Sequence, residues 1–353
     1  MRTLDDLDVE DKRVLVRVDF NVPLDEDRKI TDDARIRAAL PTLRELRSKG
    51  ASKLVLLAHL GRPKGRDEKF SLKPAADRLS ELLGVDVALA PDLDAVPEGE
   101  VVMVENVRFF DGETANDTSL AERYAKLADV YVNDAFGAAH RAHASTEGVA
   151  HLLPSAAGRL LEREVTTLNG ILSDPKRPLV AVVGGAKVTD KIGVLEAFLE
   201  KADTVLIGGA MCFPFFKAQG HAVGSSLCEE EGLDPAEQLL GNDKLELPSD
   251  LVAGREFSAD TEVSKLDGID VPDGWMGLDV GEGTAERYSA TIAAAGTVFW
   301  NGPMGAFELA PFAAGTKAVA EAMAATEATT VVGGGASLEL IEGKELPGVK
   351  ALS

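Results

Sequence analysis

Two cysteines, Cys212 and Cys228, are all that the 353 residues contain. They cannot build a disulfide framework, so a reducing, cytoplasmic setting is expected. Positive charge is also short. Lys and Arg number 37 against 59 Asp and Glu, a formal net charge of −22. That balance argues against a general nucleic-acid surface or an anionic-membrane surface, because phosphate backbones would be repelled. No apolar run reaches the ~18 residues needed to cross a bilayer. The opening MRTLDDLDVEDKRVLV lacks the basic-then-apolar pattern of a secretory signal, and no fixed-period repeat interrupts the chain. What is present is ordinary globular composition, 45% hydrophobic. At roughly 150 residues per domain, the length suggests about two domains. A soluble, acidic, cytoplasmic protein is expected.

The surplus carboxylates are spread along the chain, with short clusters at Asp25-Glu26-Asp27 and Glu229-Glu230-Glu231. They fit a well-solvated surface. They fit equally an adaptation to high salt, where screening weakens repulsion among carboxylates.

Short apolar runs alternate with longer helical patterns, the signature of parallel strands joined by crossover helices. In the first half the predicted strands are Arg13–Asp19, Lys53–His59, Val85–Ala90, Val101–Asn106 and Asp129–Asp134. In the second half they are Leu179–Val183, Thr204–Ile207, Met276–Val280, Thr297–Asn301 and Thr329–Val332. Helices are predicted at Ala34–Ser48, Leu72–Leu83, Leu120–Leu127, Lys191–Glu200 and Gly315–Ala324, with Asp33 and Ser71 as candidate caps of the first two. Pro154 to Asp174 reads as one further helix, with Leu161, Val165, Leu168 and Leu172 largely on one face. The turn Pro175-Lys176-Arg177-Pro178 stops it. The predicted organisation is therefore α/β. A first domain over 1–154 and a second over 179–340 are joined by a helix and linker over 155–178, and the tail from about 341 to 353 returns to the first.

Ligands of parallel α/β sheets sit beyond the carboxyl ends of the strands. In the first half those ends read VRVDFNVP, LLAHLGRP, VENVRFF and VNDAFGAAHRAH. In the second they read VVGGAKVTDK, VLIGGAM, GLDVGEG, VFWNGPMG and VVGGG. One half thus ends its strands in Asp, Asn, His and Arg, and the other in glycine. Arg35, Arg62, Arg108 and Arg141 follow strands or begin a helix. A guanidinium presents a planar fork of donors suited to carboxylate and phosphate, so four converging would make a positive basin for a small, multiply anionic ligand. Each could instead pair with a surface carboxylate. His140 and His143 lack the companion ligands of a zinc site and read better as part of an anion-facing loop. His59, between a strand and Leu60-Gly61-Arg62, is either a satisfied, partly buried histidine or a member of the basin. In the second half, glycines would let backbone amides approach phosphates closely, and Lys187 and Lys191 would share one face if a helix has begun there. Neither G-x-x-x-x-G-K followed by Ser or Thr nor G-x-G-x-x-G occurs, which disfavours an ordinary P-loop ATPase or dinucleotide dehydrogenase. An anion site facing a glycine-lined nucleotide-type site argues for phosphoryl transfer.

The strings RVDFNVP, HLGRP, VNDAFGxAHRAH, GGAKVxDKI, GWMGLDxG and WNGPMGxFE occur in that order and resemble phosphoglycerate kinase nearly end to end, as does the closing GGGASLELIEGKELPGV. The resemblance implies two Rossmann-like three-layer lobes with mainly parallel sheets, joined by a helix and hinge, in a cytoplasmic monomer. It implies reversible, direct in-line phosphoryl transfer between 1,3-bisphosphoglycerate and Mg-ADP on lobe closure, giving 3-phosphoglycerate and ATP in glycolysis, with Mg2+ carried by the nucleotide. Asp19, Phe20, Asn21, Arg35, His59, Leu60, Gly61, Arg62, Arg108 and Arg141 match its triose-binding positions. Gly185, Lys187, Lys191, Gly208, Gly209, Gly277, Leu278, Asn301, Pro303, Glu308 and the triplet Gly333, Gly334, Gly335 match its nucleotide side. Arg35 and Lys187 take the catalytic roles. An acyl phosphate is already activated, so positioning and cationic stabilisation suffice without an enzyme nucleophile.

One departure bears on activity. The family reads Gly-Gly-Gly-Asp, then a helix, a strand and a second glycine triplet followed by Ala-Ser-Leu-Glu. Here Gly335 runs directly into Ala336-Ser337-Leu338-Glu339. The expectation is an internal deletion of roughly two dozen residues, by ordinary element lengths. Ala336 would stand in place of a metal-linked carboxylate, a sheet edge would be exposed, and the tail would have less chain with which to return. Triose binding is then expected to survive better than Mg-nucleotide binding or turnover. The alternative reading is a catalytically impaired relative that still binds phosphoglycerate. A nicotinamide oxidoreductase would need the missing dinucleotide fingerprint. Pro214 and the short Asn242-Asp243-Lys244 connection read as neutral variations.

Overall fold

Four predicted strands of the first half carry near-continuous apolar runs, which suits burial on both faces of a parallel sheet. The computed structural model describes residues 1–353 and forms these strands as β1 (Arg13–Arg17), β2 (Lys53–Leu57), β4 (Val101–Val104) and β5 (Val130–Asn133). With β3 (Val87–Ala90) and β6 (Ser155–Ala157) they make a six-stranded sheet in the order β3-β4-β2-β1-β5-β6, every pair parallel. β6 is not evident in the sequence, because Ser-Ala-Ala has no strand-like pattern of its own and becomes a strand by pairing with β5. Helices α1 (Ala34–Ser48), α2 (Lys73–Leu83) and α3 (Thr118–Ala125) belong to the same layer system. Ile36, Leu43 and Leu79 from α1 and α2 pack with Val14, Val16, Leu54 and Leu56 from the sheet.

Neither predicted cap takes the simple form. Asp33 occupies the N-cap position of α1 without capping it. Its carboxylate is engaged instead by Arg37 and Arg78. Ser71 lies one residue before the N-cap of α2, and its hydroxyl accepts from Lys73 N at 3.2 Å.

The second unit is built on a five-stranded parallel sheet: β7 (Leu179–Val183), β8 (Thr204–Ile207), β9 (Leu245–Glu246), β13 (Thr297–Asn301) and β14 (Thr329–Val332), in the order β14-β13-β7-β8-β9. Met276–Val280, predicted among the parallel strands, lies elsewhere. As β12 it joins β10 (Leu251–Gly254) and β11 (Val263–Leu266) in a small antiparallel sheet ordered β11-β10-β12. The run Met-Gly-Leu-Asp-Val alternates in burial rather than being buried throughout, as suits a sheet with two unlike faces. The remaining helices are α4 (Arg159–Ser173), α5 (Ile192–Lys201), α6 (Phe213–Ala218), α7 (Leu233–Leu239), α8 (Glu282–Ala293), α9 (Ala314–Ala325), α10 (Gly335–Ile341) and α11 (Pro347–Lys350). Pro214 stands in the first turn of α6, where a missing amide hydrogen costs nothing.

The chain divides into Met1–Leu168 with Gly343–Ser353, and Asn169–Glu342. The boundary falls within α4. The short tail does reach the first unit: Arg2 N donates to Leu352 O at 2.8 Å, and Gly348 N to Ala139 O at 2.9 Å. β14 is an outer strand, followed after Gly333-Gly334 by α10, and Val332 on it is 72% exposed. No helix is long and apolar enough to cross a membrane.

Candidate functional site

Because β4, β2, β1 and β5 are consecutive in the first sheet, the loops after their carboxyl ends adjoin one another. Asn21 and Gly61 join the first two: Asn21 Oδ1 accepts from Gly61 N at 2.8 Å. Gly61 also presents its carbonyl to Nη1 of Arg108. Its φ is +60°, and a Cβ there would lie 2.4 Å from the Phe70 ring, so only glycine fits. Asn106 fixes the same loop from below, donating to Leu60 O at 2.8 Å and Phe70 O at 2.9 Å. Arg35 pairs with Asp19. Arg62, Arg108 and Arg141 line one cavity of about 500 Å³ together with Phe110, Glu113 and His143.

Mutual repulsion among cations and burial set the electrostatics of this cluster. Burial, then Arg17, Arg108, Arg141 and Arg35, push the His59 pKa down to about 2. Burial and the same kind of neighbours, Arg108 first, push His143 to about 4. Arg108 itself is lowered by burial and by Arg141, Arg17 and Arg62. Both histidines are therefore neutral at pH 7, while the guanidiniums carry the charge. Arg17, buried at 1% exposed, belongs to this cluster and escaped the sequence reading, because it sits inside a strand instead of after one. Two matched positions contribute differently from expectation. The Phe20 and Leu60 side chains are packed in the hydrophobic core, leaving only their backbone for a ligand. Their apolar character already pointed that way.

In the second unit a cavity of about 670 Å³ is lined by Gly185, Gly209, Gly277, Leu278, Pro303 and Glu308 from the matched set. Gly209 has φ +69°, and a Cβ there would lie 2.6 Å from Gly185 O, so the two glycine turns touch through their backbones. Phe213, Leu227, Phe257 and Phe307 add apolar walls that motif matching did not supply. Asp279, also on the wall, is buried and pushed up to about 6, while accepting from Gly315 N at 2.8 Å and Val280 N at 2.9 Å.

Lys187 and Lys191 do not share a helix face. Lys187 lies in irregular chain, Lys191 ends a 3-10 turn over Thr189–Lys191, and α5 starts only at Ile192. Lys191 Nζ folds back onto Gly184 O, and burial pulls its pKa down to about 8. Lys187 is exposed. Gly208 lies under Met304, whose sulfur would be 2.4 Å from an added Cβ. Asn301 donates to Gly333 O at 2.6 Å. None of Lys187, Lys191, Gly208, Asn301, Gly333, Gly334 and Gly335 is among the cavity-lining residues. Ala336 is buried in the first turn of α10.

The model of the phosphoglycerate kinase family matches residues 4–348. The chain belongs to the phosphoglycerate kinase family. It is 51% identical to phosphoglycerate kinase of Acaryochloris marina over 387 aligned residues, covering 98% of this chain and 96% of that protein. It is 49% identical to the cytosolic phosphoglycerate kinase of Nicotiana tabacum, covering 99% and 97%. Among solved structures it resembles phosphoglycerate kinase from Coxiella burnetii, with a TM-score of 0.85, 42% identity and coverage of 99% and 98%. Its activity is that of a phosphoglycerate kinase, a phosphotransferase of glycolysis. Most of the strings that carried the resemblance lie at strand ends, and Gly274–Gly281 spans β12 itself.

No group of three or more His, Cys, Asp or Glu side chains is arranged to hold a metal ion. Mg2+ commonly binds through substrate phosphates with only one or two carboxylates. The phosphoglycerate kinase family uses a Mg-nucleotide.

Proposed function

We propose that the arginine basin of the first unit takes 3-phosphoglycerate or 1,3-bisphosphoglycerate and that the glycine-floored cavity of the second takes Mg-ADP or Mg-ATP. The observation that carries this reading is the contrast between the two cavities: one edged by Arg62, Arg108 and Arg141, the other by glycine turns and apolar walls. Multiple guanidiniums suit a ligand carrying phosphate and carboxylate. A mostly apolar cleft with a few polar groups suits a nucleobase and ribose, and Glu308 on its lining is assigned to the ribose.

In the forward reaction an oxygen of the ADP β-phosphate attacks the C1 acyl phosphate. The bond from phosphorus to the carboxyl oxygen breaks, and the carboxylate of 3-phosphoglycerate leaves. Arg35 and Lys187 are assigned to the transferring group. Fixed cations aimed at its equatorial oxygens lower the barrier without a covalent enzyme intermediate. Asp19, Asn21, His59 and the Gly61 backbone orient the triose, and Lys191 and the Gly185–Gly209 turns approach the nucleotide phosphates. Direct in-line transfer on closure of the two lobes completes the reading, with the protein acting as a cytoplasmic monomer.

A second, narrower reading concerns turnover. Ala336 supplies no carboxylate at the start of α10, so the nucleotide side would be the weaker partner. A coupled assay from 3-phosphoglycerate and Mg-ATP, in low and in molar potassium chloride, tests both readings beside a version with a Gly-Gly-Gly-Asp helix and strand inserted after Gly335. Turnover equal to that of the extended version supports the first reading. Turnover appearing only in the extended version supports the second.

A further inference from the structure

Beneath the arginine basin lies a buried polar chain that the transfer chemistry does not use. Arg17 Nε donates to Ser145 Oγ at 3.0 Å, its Nη1 donates to Val18 O, and its Nη2 lies 3.0 Å from His59 Nδ1. Ser145 Oγ in turn donates to Glu113 Oε1 at 2.6 Å. Glu113 Oε2 accepts from Ser145 N at 3.2 Å and from Tyr124 Oη at 3.3 Å. Arg17 and Glu113 are each 1% exposed, and Ser145 and Tyr124 are fully buried.

The guanidinium fixes the direction of its own bonds. A guanidinium has five N–H donors and no acceptor, so Nδ1 of His59 must present its lone pair to Arg17. A neutral imidazole with a free Nδ1 carries its proton on Nε2. The imidazolium is disfavoured by burial and by the surrounding guanidiniums. Ser145 Oγ accepts from Arg17 and turns its own hydrogen to Glu113 Oε1. Burial raises the Glu113 carboxyl above its ordinary range, and the Ser145 hydroxyl, Arg17 and Tyr124 pull it back down.

We propose that Glu113 is a positioning residue for the triose site: through Ser145 and Arg17 it holds His59 in the Nε2–H tautomer and reserves that N–H as a donor for the triose. Nothing else in the protein bonds to the His59 ring. Glu113 is the buried carboxyl on which this chain ends. Removing it would leave a buried guanidinium poorly compensated, which is costly, and free Ser145 and Arg17 to turn. The triose half of the proposal rests on the assignment of His59 to that ligand; the tautomer half does not.

The test therefore begins without ligand. Imidazole nitrogens are assigned in a long-range 15N spectrum of the wild-type protein, which has only five histidines. His59 is expected as the Nε2–H tautomer throughout pH 5 to 8. An Nδ1–H tautomer or an imidazolium overturns the proposal. In Glu113→Gln and in Ser145→Ala, which removes the bridging hydroxyl without a change of charge, His59 is expected as a mixture of tautomers. The KM for 3-phosphoglycerate should rise about tenfold, near 1.4 kcal/mol, with kcat within about twofold and the KM for Mg-ATP unchanged. A single unchanged tautomer in a folded Ser145→Ala protein overturns the relay even if Glu113→Gln does not fold. Mixed tautomers with an unchanged triose KM overturn the triose half and show that His59 was assigned to the wrong ligand. Equal losses in both KM values point to general loosening and also overturn it.

Discussion

Arg35 donates from Nη1 to Oδ2 of Asp19, so the guanidinium assigned to the transferring phosphoryl group stands in an ion pair with a residue assigned to the triose. Arg35 remains half-exposed, with 51% of its side chain accessible. It can therefore leave a carboxylate for a phosphate at the cost of one solvent-screened pair, worth about 0–1 kcal/mol. Gly137 makes the pairing possible, because a Cβ there would lie 2.7 Å from Asp19 Oδ2.

For Arg35→Ala the expected result is a loss in kcat of about 10²–10³, the usual effect of removing one aimed donor. Triose affinity measured by calorimetry should change far less. A loss of affinity as large as the loss in kcat would make Arg35 a ground-state contact.

Lys191 gives a pH dependence with a definite sign. Burial lowers its pKa to about 8, so in the unliganded protein its charge is present below that pH and lost above it. Affinity for ADP should fall by up to about tenfold between pH 7 and 9. In Lys191→Arg, whose guanidinium keeps its proton, the profile should flatten. Parallel profiles for the two proteins would remove Lys191 from the phosphate contacts.

Asp134 sets a stability profile. It is buried, its Oδ1 accepts from Leu160 N at 2.9 Å and Leu161 N at 3.4 Å at the start of α4, and its pKa is pushed up to about 7. The folded state thus holds this proton more tightly than the unfolded chain does. Its contribution is fully present below the ordinary aspartate range and disappears as pH rises through 7. Relative to Asp134→Asn, the wild-type protein should lose stability from pH 5 to 8, by at most about 1.4 kcal/mol per pH unit. Urea midpoints at several pH values check this. Curves that run parallel would contradict it.

Gly61→Ala should both destabilise and weaken triose binding. The new Cβ meets the Phe70 ring at a positive φ, strain of about 1–3 kcal/mol, in a loop that holds Asn21 and Arg108. Urea unfolding and the triose KM measure the two effects. A stable protein with an altered KM would mean that the loop relaxes around alanine.

Much of this was legible in the sequence for identifiable reasons. Strands such as Lys53–Leu57 and Leu179–Val183 are buried on both faces, so their apolar runs are unbroken. Arg62, Arg108 and Arg141 stood out because each follows a strand in an acidic chain. The elements that escaped notice owe their form to partners. Ser155–Ala157 is a strand because β5 is beside it, and Leu251–Gly254 and Val263–Leu266 pair across a small antiparallel sheet. Lys187 and Lys191 were misplaced relative to one another because a 3-10 turn precedes α5, and spacing alone does not distinguish that turn from helix. Arg17 and Glu113 were hidden for a related reason: each is bonded to residues distant in sequence.

The most direct test of the two-cavity account is a calorimetric titration of 3-phosphoglycerate and, separately, Mg-ADP into the wild-type protein, Arg108→Ala and Lys191→Ala. Arg108→Ala should weaken 3-phosphoglycerate about tenfold or more and leave Mg-ADP unchanged, and Lys191→Ala should do the reverse. Loss of the same ligand in both variants, or of neither, would contradict the assignment of the two cavities.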